Sequence, residues 1–206
     1  MKKRAKKPKT VSSKSGAIDE RNRLALAFLE LNKDKLFKKL PEEEKLRLTK
    51  EVLSIGDEIA KWIVTEYGTN DPRKIAVNMG VKVFGEDFRK KKKDKGTIYR
   101  KEKREIVVYR DYHEQLLREI KSPELSENLL KFLVAHQLFH HLEHDRIGYV
   151  YKRFKFPAFK LGPFKSEKHI EGLSKVAAQA FTLTLLDLKI SPQVFDYLTY
   201  ILYTSS

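Results

Sequence analysis

Cysteine is absent from the 206 residues. Disulfides, thiolate zinc knuckles, iron–sulfur clusters and a cysteine nucleophile are excluded together, and any bound metal must be held by histidine and carboxylate. Long apolar runs are missing too. Nothing approaches the roughly 18 uninterrupted apolar residues that a membrane span requires, and the basic N-terminus is followed by no apolar stretch of the secretory-signal kind. The expectation is a cytoplasmic protein without a membrane partner. With 41% hydrophobic residues, wholesale disorder is excluded as well, and the length suits one ordinary domain with an appendage or at most two small domains.

Acids are scarce relative to bases. The chain carries 43 Lys and Arg against 28 Asp and Glu, a formal net charge of +15, and such an imbalance first suggests nucleic acid. Its distribution narrows that reading. Residues 1–16 hold seven basic residues and no acid, and residues 89–104, RKKKKDKGTIYRKEKR, hold ten basic and two acidic. The remaining 174 residues carry 26 charges of each sign, although 146–175 is locally basic. The excess belongs to two runs and not to a basic domain.

Residues 1–16 are Lys-rich and nearly free of large apolar side chains, which predicts a disordered basic tail. Residues 17–44 read as an N-terminal helical extension, and 45–206 as the main domain. From Ile18 to Leu40, apolar residues including Leu24, Phe28, Leu31 and Leu36 recur at helical spacing. Pro41 followed by three glutamates opens a second helix that Gly68 stops. A short helix over Arg73–Met79 ends at Gly80. Three strands follow: VKVF from Val81, a segment near Gly96–Tyr99, and the β-branched run EIVVY over Glu105–Tyr109. The basic run with Lys90, Lys91, Lys92 and Lys93 connects two of these strands, as a solvated loop or as a contact surface for nucleic acid or another acidic partner.

Ser122-Pro123-Glu124 opens a long helix expected to reach about Asp145. Nine of the fourteen residues from Leu129 to Leu142 are apolar, so most sides of it should be buried. An irregular aromatic and basic connection follows over Ile147–Ser166. Helical spacing resumes from about Glu167 to Leu188, and Ser191-Pro192 starts a last amphipathic helix.

Four of the six histidines lie in AHQLFHHLEHD: His136, His140, His141 and His144. Positions four apart on a helix differ by about 40° around its axis, so His136 and His140 project from one face and can reach a single ion. They continue the stripe of Leu125, Leu129, Phe132 and Leu133, which should point inward, where imidazoles need hydrogen-bond partners or a metal. The spacing is that of H-E-x-x-H, whose glutamate is the general base acting on zinc-bound water. Gln137 occupies that position. A neutral amide positions water but accepts no proton from it.

A second frame, His140-His141-Leu142-Glu143-His144, matches the inverted H-x-x-E-H arrangement and offers His144 and Glu143 as alternative ligand and base. Against it stands the plainer reading of His141, Glu143 and His144 as an exposed helix C-terminus, where histidines suit the dipole. For a third ligand, Glu167 and Glu171 are the only carboxylates between Asp145 and Asp187. They lie four apart at the start of the next expected helix, with Glu171 the deeper and first choice. His169 is a weaker candidate.

With these residues in hand, the chain from about Leu46 to Pro192 resembles the ImmA/IrrE family of zincin-like metallopeptidases. An opening helix leads to DPRKIAVNMGVKV, similar to the family's helix and G-I-x-V strand. GTIY and EIVVY follow as strands, and AHQLFHHLEH resembles A-H-E-L-G-H-H-L-x-H. Downstream, AAQAFTLTLL is similar to E-x-E-A-x-x-F-A-x-x-L-L-M-P. The resemblance implies an α+β fold, a mainly helical zincin-like metallopeptidase with a small three-stranded sheet, and zinc held by His136 and His140. It also implies cleavage or inactivation of a repressor in phage, mobile-element or stress regulation.

The departures from the family pattern bear directly on activity. Gln137 replaces the catalytic glutamate, Lys175 and Ala177 stand at the two downstream glutamate positions, and Asp187-Leu188 replaces Met-Pro. The expectation is a zincin-fold regulatory protein that binds a repressor or other partner with little or no peptidase activity. Two alternatives stand beside it. One is an active zinc metalloendopeptidase with an altered site that uses Glu143 or Glu171 as base. The other is a nucleic-acid-associated accessory protein that uses the basic tail and the 89–104 segment.

Overall fold

The computed structural model describes residues 12–86, 97–109, 123–157 and 167–188. Most of the expected basic tail, the loop with Lys90–Lys93 and the expected helix from Ser191 lie outside the described residues. The architecture is α+β and mainly helical, with a small three-stranded mixed sheet. No helix among the described residues is long and apolar enough to cross a membrane.

Helix α1 spans Ser12–Leu31, so its backbone begins inside the segment expected to be a disordered tail. It does not continue to Leu40 as the periodicity suggested. Asp34 breaks it: the Asp34 carboxylate accepts hydrogen bonds from the Leu36 N–H at 2.7 Å and the Phe37 N–H at 3.3 Å, capping the single turn α2 (Lys35–Lys38). That turn places Phe37 in the core at 0% exposure.

Helix α3 (Glu42–Tyr67) starts after Pro41, with Glu42, Glu43 and Glu44 in its first turn near the positive end of the macrodipole. It stops at Gly68, whose φ of 65° is the left-handed cap that a glycine adopts without a Cβ penalty. Asp71 caps α4 (Pro72–Asn78), accepting from the Arg73 N–H at 3.0 Å, with Pro72 in the first turn.

Strands β1 (Lys82–Glu86), β2 (Thr97–Arg100) and β3 (Glu105–Tyr109) form the sheet in the order β1-β3-β2. β3 is central, parallel to β1 and antiparallel to β2, with Val107 facing Phe84 on one side and Ile98 on the other. Ile106, Val107 and Val108 are all buried, as a β-branched run in a central strand should be.

Helix α5 (Pro123–Leu142) lies across this sheet and packs on its other side against α6 (Gly172–Leu185). The expected run to Asp145 is present, but its last part is a π-helical turn, Glu143–Ile147, followed by a 3₁₀ turn, Val150–Arg153. The connection expected to be irregular also contains half of a small antiparallel ribbon, in which β4 (Phe156–Pro157) pairs with β5 (Glu167–Lys168). Glu167 is therefore in a strand and does not open α6. α6 ends in a Schellman arrangement: the Leu188 N–H bonds the Leu183 carbonyl at 2.9 Å, with Asp187 at φ 49°.

The most extensive helix contact is between α3 and α6. It depends on Gly56: a Cβ there would meet Ala180 Cβ at 2.7 Å and the Phe181 nitrogen at 2.9 Å, as well as the Ala177 carbonyl oxygen. Phe181 in turn packs on Phe139 of α5, ring centroids 5.4 Å apart. Gly56→Ala gains up to about 1 kcal/mol of helix propensity, yet it must push two backbones apart. A net destabilisation of about 1–3 kcal/mol is expected in urea unfolding, and a variant as stable as the wild type would refute this account of the contact.

Candidate functional site

The end of α5 distributes its histidines over two faces. His136 and His140 lie one turn apart, ring centroids 5.2 Å from each other and planes at 81°. Both are half-buried, so the inward stripe carries them to a boundary and not into the core. Gln137, between them, is also half-buried. His141 goes to the interior instead, with 1% of its side chain exposed.

Glu143 is the residue on which this end of the helix turns. Its side chain is 1% exposed, which contradicts the reading of a solvated helix terminus. A carboxylate out of water needs donors, and three are supplied. Oε1 accepts from the Val150 N–H at 2.8 Å and from the Ser174 hydroxyl of α6 in a short contact. Oε2 accepts from Nδ1 of His140 at 2.9 Å. With Nδ1 carrying the proton, the lone pair of His140 is on Nε2, the arrangement in which an outer carboxylate orients an imidazole ligand. The inverted frame fares differently. Its base, Glu143, has both oxygens engaged, and its ligand, His144, is 39% exposed with Nδ1 donating to Asp145 at 2.8 Å.

The sheet supplies the partners of His141. The Tyr99 hydroxyl of β2 lies 2.7 Å from His141 Nδ1, and the two rings meet edge to face at 5.2 Å. Burial pushes the His141 imidazole below its ordinary value and the Tyr99 phenol above its own. A neutral imidazole accepting from Tyr99 leaves its Nε2 proton on the side of Asp145, 3.8 Å away. Asp145 is held below the usual carboxylate value chiefly by its hydrogen bond from His144, and Arg104 joins it at 2.9 Å. Arg104, in the β2–β3 turn with φ 53°, thereby ties the sheet to the end of α5.

The expected third-ligand region is occupied otherwise. Glu171 is exposed at the N-cap position of α6 and makes no side-chain cap bond. Glu167 is in β5, and Lys90–Lys93 lie outside the described residues. His169 bonds the Phe154 carbonyl through Nδ1 at 3.2 Å. Of the two positions where the family pattern has glutamate, Lys175 forms a 3.0 Å ion pair with buried Glu30 of α1, and Ala177 is fully buried where α6 meets Gly56. Among the described residues, no group of three or more His, Asp or Glu side chains is arranged to hold a metal ion.

Tyr99, Ser174, Asp145 and Arg104 were not legible as site residues. Tyr99 is 42 positions from His141, and Ser174 sits in an apolar helix with no motif around it. Comparison with models of known families, with curated proteins and with solved structures gives no match.

Two outcomes follow from these contacts. Glu143→Leu leaves the Val150 N–H and the Ser174 hydroxyl buried without their acceptor, and should cost about 2–4 kcal/mol in urea unfolding; an unchanged midpoint would contradict the network. For His141, the unfolded chain binds its proton more readily than the fold does. Its contribution to stability is therefore complete above the ordinary value of 6.5 and lost as the pH falls below it. In the presence of chelator, the melting temperature should drop between about pH 7 and pH 5, and drop less in His141→Gln. Equal slopes would count against it.

Proposed function

We propose that the chain is a zincin-like protein of the ImmA/IrrE type in which ordinary peptidase chemistry is lost or much reduced, and that it acts by binding a regulatory protein such as a repressor. Phage or mobile-element regulation is the setting the resemblance implies. The observation that carries this reading is the pairing of His136 with a His140 whose Nδ1 is held by buried Glu143, while Gln137 stands where a base is needed. The proposed zinc would be held by Nε2 of His140 together with His136. These are two imidazoles, one short of the three protein ligands that catalytic zinc sites use, so the described residues alone support weak binding and do not complete a hydrolytic centre.

The alternative of an active enzyme with an altered site is weakened at both of its bases. Glu143 is buried and fully hydrogen-bonded, and a base must reach the water it deprotonates. Glu171 is exposed at the N-cap position of α6, and among the described residues it belongs to no group of three His, Asp or Glu that could hold a metal.

Zinc content measured by elemental analysis should be substoichiometric in the purified protein and fall to background in His136→Ala/His140→Ala. A repressor-like substrate should survive incubation with the wild-type protein. Cleavage that is abolished by chelator and by His136→Ala would sink the proposal. Activity that appears only in Gln137→Glu would support it, since that change restores the missing proton acceptor and nothing else.

A further inference from the structure

We propose that Tyr149, Tyr151, Lys152 and Arg153 form a binding platform for single-stranded nucleic acid. These residues are distinct from the histidine pair and from the two lysine-rich runs of the sequence, and the proposal does not depend on the reading of the histidines.

The sequence YVYKRFKF interleaves aromatic and basic residues over Tyr149–Phe156, and the 3₁₀ turn at Val150–Arg153 brings Tyr149, Tyr151 and Lys152 into contact. The Tyr149 and Tyr151 rings lie 5.6 Å apart at a 39° tilt, and His169 meets Tyr151 edge to face at 5.7 Å. The Lys152 ammonium stands over both tyrosine faces, 4.9 Å from one centroid and 5.9 Å from the other. Lys152 and Arg153 are exposed. Uncharged groups hold them, the tyrosine rings for Lys152 and the Ile147 carbonyl, at 3.0 Å, for Arg153, so their charge remains available to an anion. The sequence around it is basic as well, with eight Lys and Arg against Glu167 and Glu171 over residues 146–175, although Arg146 is paired with Glu66 and Lys175 with Glu30.

The platform is also pre-organised. Val150 beneath it is fully buried and donates to Glu143, Tyr151 donates to Ser174 at 3.3 Å, and Phe154 accepts from His169. A surface fixed before binding loses little entropy on binding.

The paired aromatic faces select among polyanions. An acidic peptide is served by charge alone, whereas every nucleotide base presents a π-face that stacks on tyrosine without regard to sequence. In a duplex those faces are already stacked on one another, so the single strand is the form that fits. Residues 1–16 and Lys90–Lys93 include no aromatic residue, and that difference separates the contributions.

The test is fluorescence anisotropy of the full chain with a labelled oligo-deoxythymidine of roughly 20 nucleotides, across a salt series. Tyr149→Leu/Tyr151→Leu keeps the charge and the apolar bulk, and should weaken binding about tenfold or more with an unchanged salt slope. Tyr149→Phe/Tyr151→Phe should bind as the wild type does. Lys152→Gln/Arg153→Gln, both at exposed positions, should weaken binding and reduce the salt slope by about 1.4. Wild-type affinity in the Leu variant, or in the Gln variant, overturns the proposal. So does displacement of the oligonucleotide by a polyglutamate peptide at equal charge concentration, which would assign the surface to an acidic protein.

Discussion

A single buried carboxylate organises one end of this molecule. Glu143 is 1% exposed, and an ionised group in that position is tolerated only when its lone pairs are met. The three donors that meet them come from three places: α5 through His140, the 3₁₀ turn through Val150, and α6 through Ser174. Satisfying Glu143 therefore fixes the chain leaving α5 relative to the helix that returns beside it. It also holds the Nδ1 edge of His140, so the orientation of the candidate ligand and the path of the following aromatic segment have a common cause. The π-helical turn at Glu143–Ile147 is where this happens, since a change of helical period redirects side chains without ending the helix.

The second constraint is the close approach of α3 and α6 through Gly56, Ala177 and Ala180. Small residues there let two backbones meet, and this has a chemical consequence. A glutamate at position 177 would place a carboxylate at a fully buried position whose carbonyl oxygen already lies against Gly56. Lys175, one position from a further buried neighbour, is committed to Glu30 on α1, whose carboxyl is held below its ordinary value by Lys33 and Lys175 in spite of its burial. The part of α6 from which a third carboxylate ligand is expected is thus built for packing and for tethering α1. On the proposed reading, Gln137 and these two positions agree with each other, since a protein that does not hydrolyse needs neither a base nor a third carboxylate ligand.

How much of this was legible in the sequence depends on the range of the forces involved. EIVVY, the Gly68 stop and the Asp71-Pro72 start are local signals, and the strands and helices they mark lie where expected. The break at Asp34 was missed because apolar spacing continued through it while a side-chain cap interrupted the backbone. Glu167 was placed on a helix because its spacing from Glu171 is helical, but pairing with Phe156–Pro157 draws it into a strand. The histidines show the limit most clearly. Periodicity predicted an inward His136 and His140, and nearness to the helix end suggested an exposed His141, Glu143 and His144; the structure buries His141 and Glu143 and leaves His144 exposed. Their partners, Tyr99 and Ser174, come from β2 and α6, and no window along α5 contains them.

Charge is subject to the same limit. The net +15 is dominated by runs in which lysines follow one another, and such runs give affinity that is proportional to their length and indifferent to geometry. Lys152 and Arg153 add little to the total, yet the fold holds Lys152 over two tyrosine faces and fixes Arg153 on the Ile147 carbonyl. Geometry, and not abundance, decides whether a cation can discriminate one polyanion from another. A short segment anchored by a buried hydrogen bond therefore carries more information about a partner than a longer run of lysine does. In this chain that anchor is again Glu143, through Val150, so the residue that orients the candidate metal ligand also shapes the proposed nucleic-acid surface.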